Sequence, residues 1–298
     1  MPTLQALSDL APAKVNLTLR VLGKRQDGYH DLESLVVFAG LADRLTLTPG
    51  DALGLAVDGP TAAAAGDVFD NLVLRAACAL AERVVGLRVG RFTLTKLLPV
   101  AAGLGGGSSD AAAALRLLAR LNGLAPDDAR LLDVARRTGA DVPVCLDPRA
   151  RVMRGIGDVL TPPLDLPPLP AVLVNPGVPV PTRDVFGKLG LVPGETRGVA
   201  SEIDTGRLKD GGALIDYLKS QPNDLEAPAI ALQPVIADVL TALARQDGCL
   251  LARMSGSGAT CFGLFASEAA AAAGAQTLAS SHPRWWVAPT DFSASARS

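Results

Sequence analysis

Basic charge, aromatic rings and paired cysteines are all scarce in this chain, and each scarcity removes a class of function. Its 28 lysines and arginines are outnumbered by 30 aspartates and glutamates, for a net charge of −2, so no basic field offers itself to a nucleic-acid backbone. Aromatic residues amount to 4%, too few for the stacking platforms on which single strands lie. The four cysteines, Cys78, Cys145, Cys249 and Cys261, stand far apart, with no Cys-x-x-Cys pair and no histidine cluster nearby. That excludes the usual zinc spacings and a redox dithiol, and each is expected as a small buried hydrophobe in a reducing compartment. No apolar run reaches about 18 residues, and no basic segment followed by an apolar one opens the chain. A cytoplasmic protein without a membrane partner or an internal repeat is expected, and a small, specific ligand suits it better than a polymer.

What is abundant is apolar surface and glycine. With 298 residues and 49% hydrophobic composition, the chain can bury a core in one large or two ordinary domains without help from metal or disulfide. Glycine concentrates in Leu98-Pro-Val-Ala-Ala-Gly-Leu-Gly-Gly-Gly-Ser-Ser-Asp-Ala-Ala. The segment before it, Arg91 to Lys96, alternates Phe92 and Leu94 against Thr93 and Thr95, the period of a half-buried strand. After it, Asp110 to Asn122 places Ala111, Leu115, Leu118 and Leu121 on one side and Arg116 and Arg120 on the other, with Gly123 as a stop. A strand, a glycine loop and a helix N-terminus make an anion-binding arrangement, because the first helical N–H groups lack intrahelical partners. Gly103, Gly105, Gly106 and Gly107 let the backbone approach a phosphate, and Ser108 and Ser109 add hydroxyls, one suited to capping the helix and one to a phosphate oxygen or its magnesium. A Walker A loop does not fit, since no lysine follows, and the dinucleotide fingerprint lacks its third glycine.

Along the rest of the chain, Ala11 to Val21 alternates Val15, Leu17, Leu19 and Val21 against Lys14, Asn16, Thr18 and Arg20, which predicts a strand with one buried and one polar face. Lys14 and Asn16 share the polar face: either an ordinary solvent face, or a cation and an amide placed to hold a substrate. Asp27-Gly28 is hairpin chemistry, and it brings Tyr29 and His30, each one of only two of its kind, to the start of the returning strand; Leu41 to Val57 reads as further strands. Asp70 or Asn71 is expected to cap a helix over 71–81, and Asp127 to Arg137 forms another amphipathic helix. There Gly139 ends the helix and Pro143 prevents its resumption, leaving Asp141 on a constrained turn, either as a cap or as a partly desolvated carboxylate. Five prolines in Thr161 to Pro170 have linker composition and place a domain boundary near 165. Beyond it come the strand Ala171–Val174, a polar cap at Asn223 ahead of one helix from Ile230 to Arg245, a glycine-serine turn at Ser255–Gly258 before an apolar strand, and a frayed tail from Asp291.

The run Pro99-x-x-x-Gly-Leu-Gly-Gly-Gly-Ser-Ser resembles the nucleotide-binding motif of the GHMP kinases, a family of small-molecule kinases, and Gly-Ala-Asp-x-Pro and Met-Ser-Gly-Ser-Gly resemble two more of its motifs. Pro12-Ala-Lys-Val-Asn-Leu and Gly-Lys-Arg-x-Asp-Gly-Tyr-His-x-Leu-Glu-Ser resemble the branch whose acceptor is a cytidine diphosphate alcohol. The resemblance covers nearly the whole chain. It implies an α/β (α+β) fold of two domains: residues 1–165, the ATP-binding and catalytic half with a left-handed βαβ crossover, and residues 166–298, a ferredoxin-like half. It implies ATP and Mg2+ as cofactors, with ATP held by Pro99, Val100, Ala101, Ala102, Gly103, Leu104, Gly105, Gly106, Gly107, Ser108, Ser109 and Asn71, and the metal near Ser109. Lys14 and Asp141 are the implied catalytic residues, and Asn16, Tyr29, His30, Thr182 and Phe186 the acceptor-side ones. Arg154, Gly155 and Gly157 match a turn facing the cleft. A monomer or weak homodimer is expected.

Overall fold

The computed structural model describes residues 5–201 and 203–292, and the chain divides into two compact units that are discontinuous in sequence. The first comprises the described residues through Ala13, Leu41–Val100 and Gly105–Pro148; the second comprises Lys14–Gly40, Ala101–Leu104 and the chain from Arg149 onward.

In the first unit, strand β5 (Val89–Thr95) pairs in parallel with β4 (Gly54–Asp58) and antiparallel with the second half of β3 (His30–Gly50). Phe92 and Leu94 are fully buried, as their alternation predicts. The crossover between β4 and β5 carries α1 (Leu72–Arg83), which buries Val73, Ala76, Ala77 and Leu80 and packs on α2 (Gly106–Asn122). Gly123 stops α2 in the left-handed region, φ 66°, and its N–H returns to the Ala119 and Arg120 carbonyls. Helix α3 (Ala129–Thr138), capped by Asp128, and the one-turn α4 (Val142–Cys145) complete the unit. Arg116 bonds to Asp9, the Leu10 carbonyl and the Cys145 carbonyl, and Arg120 to the Ser8 carbonyl, so both pin α2 to β1 (Leu7–Asn16).

In the second unit, the first half of β3 pairs with β2 (Arg20–Lys24) and β6 (Arg151–Gly155), and β6 pairs with β7 (Val159–Leu160). The Asp27-Gly28 turn makes the β2–β3 hairpin, with Gly28 at φ 89° and Lys24 opposite His30. A second sheet is built from β8 (Pro170–Asn175), β9 (Cys249–Met254), β10 (Cys261–Phe265) and β11 (Trp286–Asp291), in the spatial order β11-β8-β10-β9. With α8 (Val235–Ala244) before β9 and α9 (Glu268–Ser281) before β11, this is the βαββαβ pattern of a ferredoxin-like unit. One sheet face buries Val172, Val174 and Cys261 against Ile236, Val239 and Leu243 of α8 and Ala271, Ala275 and Leu278 of α9.

Several expectations are corrected. The 11–21 strand breaks after Asn16, and both of its faces are buried: Lys14, Asn16 and Thr18 are enclosed, not solvated. Residues 30–50 form one strand instead of several, since Gly40 and Pro49 both continue it. The helix expected over 230–245 is two, α7 (Glu226–Leu232) and α8, because Pro234 has no N–H to continue the ladder. Cys78 is exposed and Cys249 half-buried, while Cys145 and Cys261 are buried. The tail is ordered through Phe292, which is buried edge-on to Phe262; residues 293–298 lie outside the described residues.

Candidate active site

The glycine loop leaves β5 and delivers the chain to α2. Its ends, Pro99–Val100 and Gly105–Ser109, belong to the first unit, and Ala101–Leu104 to the second. Gly105 is the N-cap of α2 at φ 60°, and no side chain caps the helix. The expectation that a serine caps it is therefore corrected: the left-handed glycine starts the helix four residues early and places Ser108 and Ser109 inside its first turn. The Ser109 amide already bonds to the Gly105 carbonyl at 2.9 Å, whereas the amides of Gly106, Gly107 and Ser108 precede the first intrahelical bond. A Cβ on Gly106 or Gly107 would meet nothing closer than 3.5 Å. The unit's own packing does not demand glycine at either position. The Ser109 hydroxyl is fully buried and has no hydrogen-bond partner among the described residues.

Beneath this helix end lies a charge cluster that the sequence analysis missed. Lys96 Nζ donates to Asp43 Oδ2 and, at 2.8 Å, to Asp110 Oδ2, and all three side chains are buried. Asp43 Oδ1 also accepts the Leu97 and Leu98 amides at 2.6 and 2.9 Å, so the chain entering the loop and the helix leaving it are tied together. Burial pushes the Asp110 carboxyl up to about 7 against the pull of Lys96, and Asp43 adds to the rise. One lysine cannot neutralise two buried carboxylates, so the charged form of Asp110 is disfavoured.

Elsewhere in this unit, Asn71 caps α1, its side chain accepting the Val73 amide at 2.9 Å. Asp141 is half-buried between α3 and α4 at φ −89°, ψ −9°, and its side chain does not cap α4. Pro143 does not block the helix as expected; it sits in the first turn of α4, where its missing N–H costs nothing.

In the second unit Lys14 and Asn16 do share a face. Lys14 Nζ donates to Asn16 Oδ1 at 2.8 Å, and Asn16 Nδ2 to Ser34 Oγ at 2.7 Å. The Asn16 amide donates to Ser255 Oγ at 3.1 Å, and that hydroxyl donates to the Gly103 carbonyl at 2.9 Å. Lys14 N also bonds to Leu104 O, and Thr260 N to Ala102 O, so the middle of the glycine loop is stitched to the catalytic-candidate strand and to the Ser255–Thr260 turn. Gly103 stands at φ 75° with its absent Cβ only 2.4 Å from the Ser255 carbonyl; no other residue fits. Asn223 accepts the Leu225 amide at 2.9 Å just ahead of α7, as a polar cap does, and it is buried and donates to the Met254 and Gly256 carbonyls, both at 2.8 Å.

His30 stacks on Phe186 with ring centroids 4.6 Å apart, and its buried Nε2 has no partner among the described residues. Burial, aided by Lys24, lowers its pKa and favours neutral imidazole. Thr182, the first residue of α5 (Thr182–Gly187), shares a hydrogen bond with Ser257. Tyr29 projects from the hairpin, 58% exposed, and does not join them. Arg154 pairs with Glu33 at 3.0 Å.

Among the described residues, no cluster of three His, Cys, Asp or Glu side chains could hold a metal ion, and no helix is long and apolar enough to cross a membrane. Of the residues missed, Asp43, Lys96 and Asp110 had one faint signal, charges at the margins of apolar strand and helix patterns. Ser34 and Ser255 stood inside quoted motifs, but nothing local assigned either a bond to Asn16.

Two family descriptions match the chain: GHMP kinases N terminal domain over residues 71–147 and GHMP kinases C terminal over 200–283. The chain is 63% identical over 285 residues to the 4-diphosphocytidyl-2-C-methyl-D-erythritol kinase of Methylobacterium radiotolerans, covering 95% of this chain and 98% of that protein. It is 58% identical over 292 residues to the enzyme of that name from Rhodopseudomonas palustris, covering 96% and 98%. A crystal structure of 4-(cytidine 5'-diphospho)-2C-methyl-D-erythritol kinase superposes with a TM-score of 0.76 at 35% identity, covering 96% of this chain and 99% of that one. Homoserine kinase from Cytophaga hutchinsonii superposes at 0.72 with 20% identity, covering 99% and 98%, and shares the fold. With helix-end glycines, the buried Lys14–Asn16 pair and the ferredoxin-like unit all in place, the chain belongs to the 4-diphosphocytidyl-2-C-methyl-D-erythritol kinases of the GHMP kinase family.

Proposed function

We propose that the protein transfers the γ-phosphoryl group of ATP to the 2-hydroxyl of 4-diphosphocytidyl-2-C-methyl-D-erythritol, giving the 2-phosphate and ADP, a step of non-mevalonate isoprenoid precursor synthesis. The observation that carries this reading is 63% identity along nearly the full chain to a kinase of that name. The stacked His30–Phe186 pair, with an unpartnered buried ring nitrogen beside it, supports a planar, hydrogen-bonding acceptor such as cytosine. The functional division at residue 165 belongs to the same reading.

Phosphoryl transfer asks for positioning and charge neutralisation more than covalent chemistry. The loop from Pro99 to Ser109 receives the phosphates on the amides at the start of α2, where the helix dipole is positive. Asn71, at the cap of α1, borders the nucleotide. The orphaned Ser109 hydroxyl suits an oxygen ligand of Mg2+; bound with ATP, the metal neutralises phosphate charge. Asp141 accepts the proton of the acceptor hydroxyl, and Lys14, oriented by Asn16, offsets charge on the group in transfer. Tyr29, His30, Thr182 and Phe186 hold the cytidine end. Steady-state kinetics of Asp141→Asn and Lys14→Met test the assignment: kcat should fall by at least about 10²-fold in each, and a folded variant with near-normal kcat refutes it.

A further inference from the structure

We propose that Glu33 is a positioning residue for acceptor recognition: it fastens the segment 188–201 to the β2–β3 hairpin and so keeps Phe186 against His30. The inference rests on the acceptor reading above and names a residue that touches neither ring.

Glu33 lies on β3 three residues beyond His30, on the opposite face of the strand by period, and its side chain is 4% exposed. A carboxylate this buried requires partners, and it accepts four hydrogen bonds from three N–H donors in three places. Arg20 of β2 donates at 3.1 Å, Arg154 of β6 at 3.0 Å, and the Ser201 amide to both carboxylate oxygens at 3.1 and 2.9 Å. The two arginines close the ring on Ser201 as well: Arg154 reaches its carbonyl at 2.7 Å and Arg20 its hydroxyl.

Ser201 ends a strap that begins at Phe186. After α5 the chain turns and runs along the free edge of β2. There Gly194 N bonds to Lys24 O at 2.7 Å, Lys24 N to Glu195 O at 2.8 Å, and Arg197 N to Leu22 O at 2.7 Å. A Cβ on Gly23 would stand 2.5 Å from the Glu195 carbonyl, so the strap lies directly on the hairpin. The strap thus covers an edge that would otherwise be unpaired, and it joins the two aromatic partners: its N-terminal end carries Phe186 and its body grips the hairpin carrying His30. No regular helix or strand stabilises residues 188–201. The Glu33 cluster is the charged fastening at the far end.

Glu33→Gln keeps the shape and one acceptor while removing the charge that both arginines and the Ser201 amide share. The experiment pairs two readouts on the full-length enzyme, steady-state kinetics with each substrate varied and amide hydrogen exchange. The expected result is a KM for the cytidine-bearing acceptor raised about tenfold or more, a KM for ATP within about twofold of native, and faster exchange in 194–201 with that of α2 unchanged. A folded variant with an unaltered acceptor KM, or with both KM values raised alike, overturns the proposal. Exchange needs no substrate, so it separates the two readings: native enzyme that ignores the cytidine acceptor while the variant's strap loosens refutes the acceptor role and leaves the fastening. If Glu33→Gln does not fold, Arg154→Lys keeps the positive charge but breaks the two-pronged hold on Glu33 and the Ser201 carbonyl, leaving Arg20 and the Ser201 amide on Glu33; a smaller rise confined to the acceptor KM supports the proposal, and none overturns it.

Discussion

Lys96→Met removes the ammonium from between two buried carboxylates while keeping most of the side-chain volume. In the native protein Asp43 has other donors, the Leu97 and Leu98 amides, but Asp110 has Lys96 on one oxygen and no partner on the other among the described residues. The loss therefore falls on Asp110. Breaking one side of a buried ion pair costs about 3–5 kcal/mol, a large share of the ~5–15 kcal/mol that holds a typical protein folded, and corresponds to a fall in Tm of roughly 6–15 °C. The pH dependence follows from the sign of the shift. The folded-state pKa of Asp110 lies near 7, above its ordinary 3.8, so its contribution is complete below about pH 4 and lost as pH climbs through 7. Without Lys96 that pKa rises further, and the variant goes on losing stability above pH 7 where the native protein has levelled. Urea unfolding at pH 6, 7 and 8.5 reads both effects. A deficit under about 1 kcal/mol, or one that does not widen above pH 7, would refute the account of the cluster.

Three other perturbations bear on the site. Asp110→Asn has no proton to lose, so its stability relative to the native protein should improve between pH 5 and 7, by about 2 kcal/mol in chemical denaturation; a constant difference contradicts the shift. Gly103→Ala combines a left-handed φ, which costs roughly 1–2 kcal/mol for alanine, with a Cβ driven into the Ser255 carbonyl. It should lower Tm and raise the KM for ATP together, and an unchanged Tm contradicts the packing. Phe186→Ala leaves His30 unstacked and should raise the acceptor KM while the KM for ATP holds; equal changes in both would remove Phe186 from the acceptor side.

The parts of the fold that the sequence displayed are those with short-range signals. Phe92 and Leu94 announced β5, Asp27-Gly28 the hairpin, Asn71 the start of α1, and the glycines at 103–107 the loop that leads from β5 into α2. Pro234 was equally visible, and reading through it merged α7 with α8. What stayed hidden depends on partners distant in sequence. Alternation put Lys14 and Asn16 on one polar face, but only Ser34 and Ser255, 18 and 239 residues from Asn16, show that the face is buried. Lys96 and Asp43 are 53 residues apart, and nothing local marks either as half of an ion pair. Residues 188–201 have no periodicity because their hydrogen bonds go to another strand's edge, which no window along the chain can register.

In a coupled ADP-release assay with ATP and magnesium, 4-diphosphocytidyl-2-C-methyl-D-erythritol is compared with homoserine, mevalonate and free methylerythritol phosphate. Turnover confined to the cytidine-bearing alcohol is the predicted result. Turnover of another alcohol with indifference to the cytidine group would contradict it, leaving the glycine loop and its helix as a nucleotide site but removing the His30–Phe186 pair as the element that selects the substrate.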